Sequence, residues 1–130
     1  MPVPRRIQES KLMSNGENRL FSHLLYEYKK GIRRLVLYTA RIEEADVCRI
    51  KLKRSNISWH ETPAKEGRVN FFFGDCPCIS IIKSFGDKPL NGFDEKEDFI
   101  LGVLLGYDVT KQCERYLGNV EKQYCAACCG

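Results

Sequence analysis

Three consecutive phenylalanines within the segment Arg68–Phe73 constrain the fold more than any other feature of this chain. Successive side chains of a strand point to opposite faces, so this segment is aromatic on both faces. Such a strand needs cover on both sides, which predicts a central position in a sheet between two layers of helices. Residues 34–39 are also apolar on both faces. Residues 57–62 alternate apolar and polar side chains, which predicts an edge strand in a hairpin with the central one.

Apolar spacing and helix-end signals predict helices around these strands. They are residues 20–30, 43–55, 76–85, 99–107 and 109–117. Asp75, Asp94 and Asp108 are predicted N-caps, the second of them in a capping pair with Glu97. Gly118 is predicted to end the last helix. The fourth helix is apolar on nearly every side and is predicted to be buried all round.

The order of these elements predicts an α+β fold, namely a three-stranded sheet with a ferredoxin-like β-α-β-β-α unit plus flanking helices, about five helices in all. A right-handed crossover would place the third strand between the first and the second. The length of 130 residues suits one domain. We therefore expect a disordered N-terminal tail over 1–19, a single α+β domain over 20–118 and a Cys-rich C-terminal tail over 119–130. The start codon stays open between Met1 and Met13, because the codons of Gln8 and Glu9 could form a ribosome-binding site.

Charge and hydropathy narrow the classes of function. The chain has 21 Lys and Arg against 17 Asp and Glu, a net charge of +4, which is weak for a dedicated nucleic-acid binder. No membrane-spanning run and no signal peptide are visible, so a cytoplasmic location is expected. The two histidines, His23 and His60, lie on different predicted elements, and no nucleotide-binding or serine-hydrolase motif is present. No catalytic residue is therefore predicted.

The seven cysteines of the chain are its clearest candidates for a metal or redox site. Cys76 and Cys78 lie at a predicted helix start, and Cys125 and Cys128 lie near the C-terminus. These four thiols could bind zinc or an iron–sulfur cluster, or act in thiol redox chemistry. Their spacing matches no standard metal motif. The competing interpretation, in which Cys78 packs in the core and the C-terminal thiols have no ligand, is favoured, so no metal ligand is assigned.

Four basic residues cluster after the first helix: Lys29, Lys30, Arg33 and Arg34. Such a cluster could contact an acidic protein or RNA. A solvated helix end is the alternative. We regard the cluster as the candidate partner-binding site, with a protein favoured over nucleic acid because aromatic residues for base stacking are few.

Three sequence blocks resemble a small bacterial family, domain of unknown function twenty twenty-three. They begin with Leu25-Tyr-Glu-Tyr-Lys-Lys-Gly-Ile-Arg-Arg-Leu-Val-Leu-Tyr-Thr39, continue with Phe72-Phe-Gly-Asp75 and end with the two segments 98–108 and 111–117. The resemblance implies three strands, five helices, a homodimer and an association with flavodoxin, and it implies no catalytic residues.

The function expected from residues and resemblance together is a non-catalytic homodimeric interaction module, an accessory to a flavodoxin-type electron carrier. The alternative is a metal-binding or thiol-redox protein that uses Cys76, Cys78, Cys125 and Cys128. A weak nucleic-acid binder is the third hypothesis.

Overall fold

The computed structural model describes the backbone of residues 16–128 and the side chains of residues 19–120. Five α-helices and a three-stranded sheet form this part of the chain. In chain order they are α1 (Gly16–Lys29), β1 (Leu35–Arg41), α2 (Ile42–Arg54), β2 (Ser58–Pro63), β3 (Arg68–Gly74), α3 (Cys76–Ser84), α4 (Glu95–Leu104) and α5 (Val109–Cys128), with a short 3-10 helix, Leu90–Gly92, before α4. The predicted α+β class is confirmed. Most of the predicted N-terminal tail lies outside the described residues.

The strand order is β1-β3-β2, and both pairs are antiparallel. The aromatic strand β3 is therefore central, as its sequence predicts. Phe72 lies opposite Leu37 of β1 and His60 of β2. Because the side chains alternate, Phe71 and Phe73 point to the other face. All three phenylalanines are fully buried.

Helices cover both faces of the sheet. On one face, α1 and α2 bury Phe21 and Leu52 against Phe71 and Phe73. On the other face, Ile82 of α3 and Leu101 of α4 pack with Phe72 in a second cluster. Burying one such large apolar side chain contributes roughly 1.5–3 kcal/mol, so these two layers hold the helices to the sheet.

The ends of several helices lie where the sequence predicts them. Asn56 has a left-handed backbone, φ 55°, and follows Ser55, the C-cap of α2. Asp94 and Glu97 form the predicted capping box at the start of α4. The Asp108 carboxylate accepts a hydrogen bond from the Lys111 N–H, 3.0 Å, and so caps α5.

Two predictions about the last two helices are wrong. The helix α5 does not end at Gly118 but continues to Cys128. A glycine inside a helix costs only about 1 kcal/mol relative to alanine, so it is a weak stop without a proline or a loop signal beside it. The helix α4 is not buried all round: Leu101 and Gly102 are buried, whereas Ile100 and Val103 are half-buried. Within the described residues, α4 packs mainly against α5, which covers only part of its surface.

The glycine within α4 and the glycine that follows it have distinct roles. A Cβ on Gly102 would overlap the side chain of Gln112, so this glycine allows close approach of α5. Gly106 has a positive φ of 87° and follows the end of the helix. The ring of Phe99 lies 5.6 Å from that of Tyr116, centroid to centroid, and completes the contact between the two helices.

Over the described part of the chain, none of the helices combines the length and the apolar character needed to cross a membrane.

Candidate functional site

The basic cluster lies on the turn between α1 and β1, and hydrogen bonds fix the shape of that turn. The N–H of Gly31 donates to the Tyr28 carbonyl, and the N–H of Ile32 donates to the Glu27 carbonyl, both at 3.0 Å. This pair of bonds is the Schellman motif, which requires a left-handed residue after the helix. Gly31 provides it with φ 80°. The chain therefore reverses sharply between Lys30 and Arg33.

Ile32 is strongly exposed, although its position in the motif usually packs against the helix. Its equivalent after α2 is Ile57, which contacts the cluster that contains Leu52 and is 8% exposed. In α1 the residue at the position of Leu52 is the polar Glu27. Ile32 has no apolar contact of that kind and is 65% exposed.

The four predicted basic residues differ in their contacts. Arg33 Nε donates to Glu27 Oε1 at 2.7 Å, and this bond holds the pKa of the Glu27 carboxyl below its ordinary value. The charge of Arg33 is therefore largely balanced within the fold. Lys29, Lys30 and Arg34 are exposed, and the Lys30 ammonium lies 5.5 Å from the ring centroid of Tyr26.

Three exposed cations and two exposed apolar side chains thus lie within the short segment 26–34. We call this surface the basic–apolar patch; it consists of Tyr26, Lys29, Lys30, Ile32 and Arg34. Tyr26 is 55% exposed, so the patch offers two apolar side chains to solvent beside its three positive charges. Such a surface can contact a partner that combines apolar and acidic groups.

The start of α3 lies directly beside the patch. Asp75 is a predicted N-cap, but its carboxylate makes no side-chain cap bond. It accepts a hydrogen bond from the Tyr28 hydroxyl at 2.8 Å and lies 3.7 Å from the Arg34 guanidinium. Burial, with a smaller contribution from this bond, raises the pKa of Tyr28 to about 12. Asp75 therefore joins the end of β3 to the turn that carries the patch.

Two of the four predicted cysteine ligands lie at this helix start. Cys76 is exposed, with its Sγ 3.0 Å from the hydroxyl oxygen of Ser58. Cys78 is half-buried against the second cluster, and burial raises the pKa of its thiol. The side chains of Cys125 and Cys128 lie outside the described residues. Among the side chains that the structure describes, no three His, Cys, Asp or Glu groups come together as a metal site would require.

Residues 19–119 match the model of a family described as a protein of unknown function, DUF2023. The chain belongs to the DUF2023 family. The resemblance seen in the sequence blocks is thereby confirmed, and the matched region of DUF2023 contains the basic–apolar patch, Cys76 and Cys78. Cys125 and Cys128 lie beyond it. No curated protein matches the chain.

Sequence reasoning located the cations of the patch and the nearby Tyr26 but missed Ile32. Ile32 is a single apolar residue between Gly31 and Arg33 and belongs to no periodic pattern. A signal was nevertheless present in the sequence. Gly31 as a helix stop predicts a Schellman motif, and in that motif Ile32 would pack on the side chain at position 27. Because position 27 is a glutamate, the pattern predicts that Ile32 is exposed.

Proposed function

We propose that this protein is a non-catalytic docking module that binds an acidic protein through the basic–apolar patch, as an accessory to a flavodoxin-type electron carrier. The observation that carries the proposal is the 65% exposure of Ile32 among Lys29, Lys30 and Arg34. We expect the module to act in the cytoplasm as a homodimer.

The composition of the patch supports a protein partner. Protein interfaces commonly have a well-packed centre surrounded by polar groups that exclude water, and a few central residues provide most of the binding energy. Ile32 and Tyr26 suit the centre and the three cations suit the rim. Complementary charge mainly speeds association and excludes wrong partners. Flavodoxins are typically acidic, so the association that the family resemblance implies agrees with the charge of this surface.

The experiment compares two charge reversals of equal size. The double substitution Lys30→Glu with Arg34→Glu changes the patch, and Lys53→Glu with Arg54→Glu makes the same change in net charge at exposed positions near the end of α2. Stopped-flow association with the flavodoxin of the same genome is measured at several salt concentrations. We expect the first variant to associate about tenfold more slowly at low salt and the control to keep most of its rate, because exposed charges act over about 10 Å at 0.1 M salt.

A third variant separates the apolar centre from the rim. Ile32→Ala should raise the dissociation rate and leave the association rate and its salt dependence nearly unchanged. If both charge variants bind flavodoxin as the parent does, the patch is a solvated helix end and the proposal is wrong. If the patch variant instead loses retention of RNA while flavodoxin binding is unaffected, the nucleic-acid hypothesis replaces it.

The metal or thiol-redox hypothesis has less support in the described residues. The half-buried Cys78 thiol with its raised pKa is a poor thiolate ligand. The direct test is the zinc, iron and sulfide content of protein purified without oxygen. A stoichiometric metal that is lost in Cys76→Ser would favour that hypothesis over the docking module.

A further inference from the structure

A cavity of about 450 Å³ opens at the end of the sheet opposite to the patch. It lies between the sheet face that carries Phe72 and the loop before α4. Its lining consists of Thr39, Pro63, Ala64, Lys65, Arg68, Asn70, Pro89, Leu90 and Asn91. Sites for small organic ligands usually have volumes of roughly 300–1,000 Å³ and mostly apolar walls with a few polar groups, and this cavity falls within that range.

Thr39 and Asn70, which line the cavity, belong to a row of three polar side chains across the sheet. Asn70 of β3 lies opposite Thr39 of β1 and Thr62 of β2. Asparagine is depleted in strands, and a polar group that is buried without a good partner costs free energy. Asn70 is 2% exposed in the central strand, where an apolar residue would stabilise the sheet at least as well. Packing alone does not account for it.

The hydrogen bonds of Asn70 leave capacity on one side of its amide. The Thr39 hydroxyl donates to Asn70 Oδ1 at 2.7 Å, a strong bond. The nitrogen Nδ2 has only long contacts, 3.4 Å each, to the Thr62 hydroxyl oxygen and the Pro63 carbonyl. Good N–H···O bonds are about 2.7–3.2 Å long. An acceptor oxygen in the cavity could therefore take a better bond from this nitrogen.

The exposed Lys65 ammonium in the lining favours an anion. Lys65 and Arg68 both line the cavity, and no carboxylate does so among the side chains that the structure describes. The walls formed by Pro63, Pro89 and Leu90 are apolar. A ligand with an apolar body and one acidic group would satisfy both parts of the lining.

Side-chain contacts hold the wall that the loop provides. Asp87 Oδ1 lies 3.4 Å from His60 Nε2 on β2, and Lys88 Nζ lies 2.6 Å from Glu97 Oε1 on α4. Both contacts are made by the two residues directly before Pro89, one to the sheet and the other to α4. His60 Nε2 has no hydrogen-bond partner within the described residues, so the loop is held mainly by the Lys88–Glu97 pair to α4. A wall that is held in place before a ligand enters reduces the entropy cost of binding.

We propose that this cavity binds a small amphipathic organic anion, with its acidic group at Lys65 and an oxygen that accepts a hydrogen bond from Asn70 Nδ2. This site is distinct from the basic–apolar patch and does not depend on the docking function.

The test uses a fluorescent probe of this class, 8-anilinonaphthalene-1-sulfonate, and its uncharged counterpart N-phenyl-1-naphthylamine. The full chain is titrated with each, and binding is followed by fluorescence and by the NMR signal of the Asn70 side-chain amide. We expect one saturable site for the sulfonate, a shift of the Asn70 signal, and binding of the uncharged probe that is weaker by about tenfold, the loss expected for one charge-assisted hydrogen bond.

Variants in the exposed turn after β2 test the location without disturbing the core. Lys65→Glu should weaken sulfonate binding by about tenfold, and Ala64→Trp should abolish it by filling the cavity. Lys96→Glu makes the same charge change on α4 outside the lining and should bind normally. Equal binding of both probes, unchanged binding in the first two variants, or loss of the sulfonate site in Ile32→Ala would each overturn the proposal. Urea denaturation verifies that every variant is folded, because this probe also fluoresces with partly unfolded chains.

Discussion

Gly74 controls how closely the turn that carries the patch approaches the start of α3. Its φ of 152° and the overlap that a Cβ would make with the Arg34 carbonyl oxygen both exclude a side chain. We expect Gly74→Ala to lower the free energy of unfolding by about 2 kcal/mol or more, the cost of strained backbone plus a forced shift. Gly118→Ala is the matched control, since a Cβ there meets nothing within 4 Å and the helix should gain about 1 kcal/mol. Urea denaturation measures both; equal effects of the two changes would contradict the argument.

Glu61 is the residue through which acid should weaken the fold. The Arg49 guanidinium donates to both of its oxygens, at 2.7 and 2.8 Å, and the Trp59 indole N–H donates at 3.0 Å. The bond from Arg49 is the main reason that the pKa of Glu61 lies below its ordinary value of 4.5. A carboxyl whose pKa is lower when folded stabilises the protein above its unfolded pKa, and this contribution is lost as pH falls through the folded value.

The stability difference between the parent and Glu61→Gln should therefore be largest near pH 7 and should shrink below about pH 4.5. Urea unfolding at pH 7, 5 and 3 measures it. Asp46→Asn is a suitable control, because Asp46 contacts the same guanidinium but its side chain is 87% exposed, so its effect should be small at every pH. A difference for Glu61→Gln that is independent of pH would show that the pair does not contribute through its charge.

At the scale of the elements, sequence predicts the sheet better than the last two helices. The apolar character of β1 and β3 on both faces depends on side-chain alternation, a local property, and it correctly predicts the central strand and the two helical layers. The exposure of α4 depends instead on which neighbour packs against it, and no local pattern encodes that. The cavity escaped prediction for the same reason: Thr39, Asn70 and Thr62 are unremarkable along the chain and become a polar row only through the register of three strands.

The helix α1 defines how much of the N-terminus the fold needs. It begins at Gly16, so a chain that starts at Met13 keeps every described residue. We expect this shorter chain to melt within a few degrees of the full one. A chain that starts at Ser22 loses Phe21, which is fully buried against Tyr38 and Phe73, and should lose about 3 kcal/mol or more of stability. Thermal unfolding by circular dichroism distinguishes them, and loss of folding from Met13 would assign a core role to the residues before it.

At the scale of the whole molecule, the basic–apolar patch and the cavity lie toward opposite ends of one sheet. The patch adjoins the start of β1 and the end of β3, whereas the cavity adjoins Thr39 and Arg68 at the other end. Arg34 of the patch and Thr39 of the cavity lining are five residues apart along the chain at β1, about 16 Å at the usual rise per residue. A small ligand in the cavity therefore would not block a protein on the patch, and both sites could be occupied at once.

The proposed homodimer needs a third surface, and α5 together with the loop before it carries exposed apolar side chains. Tyr107, Val109 and Leu117 are 54%, 56% and 54% exposed. Small domains bury a smaller fraction of their apolar surface than large ones, so a second copy is a natural cover for such residues.

We expect sedimentation equilibrium at micromolar concentration to give about twice the chain mass of 15.0 kDa. Leu117→Glu should shift the equilibrium toward the monomer, because it places a charge in an apolar contact. The control is Ile50→Glu, an apolar residue that is 38% exposed on α2, which should leave the dimer intact. A mass near that of one chain for the parent protein would remove the homodimer, and equal dissociation by both substitutions would place the interface elsewhere.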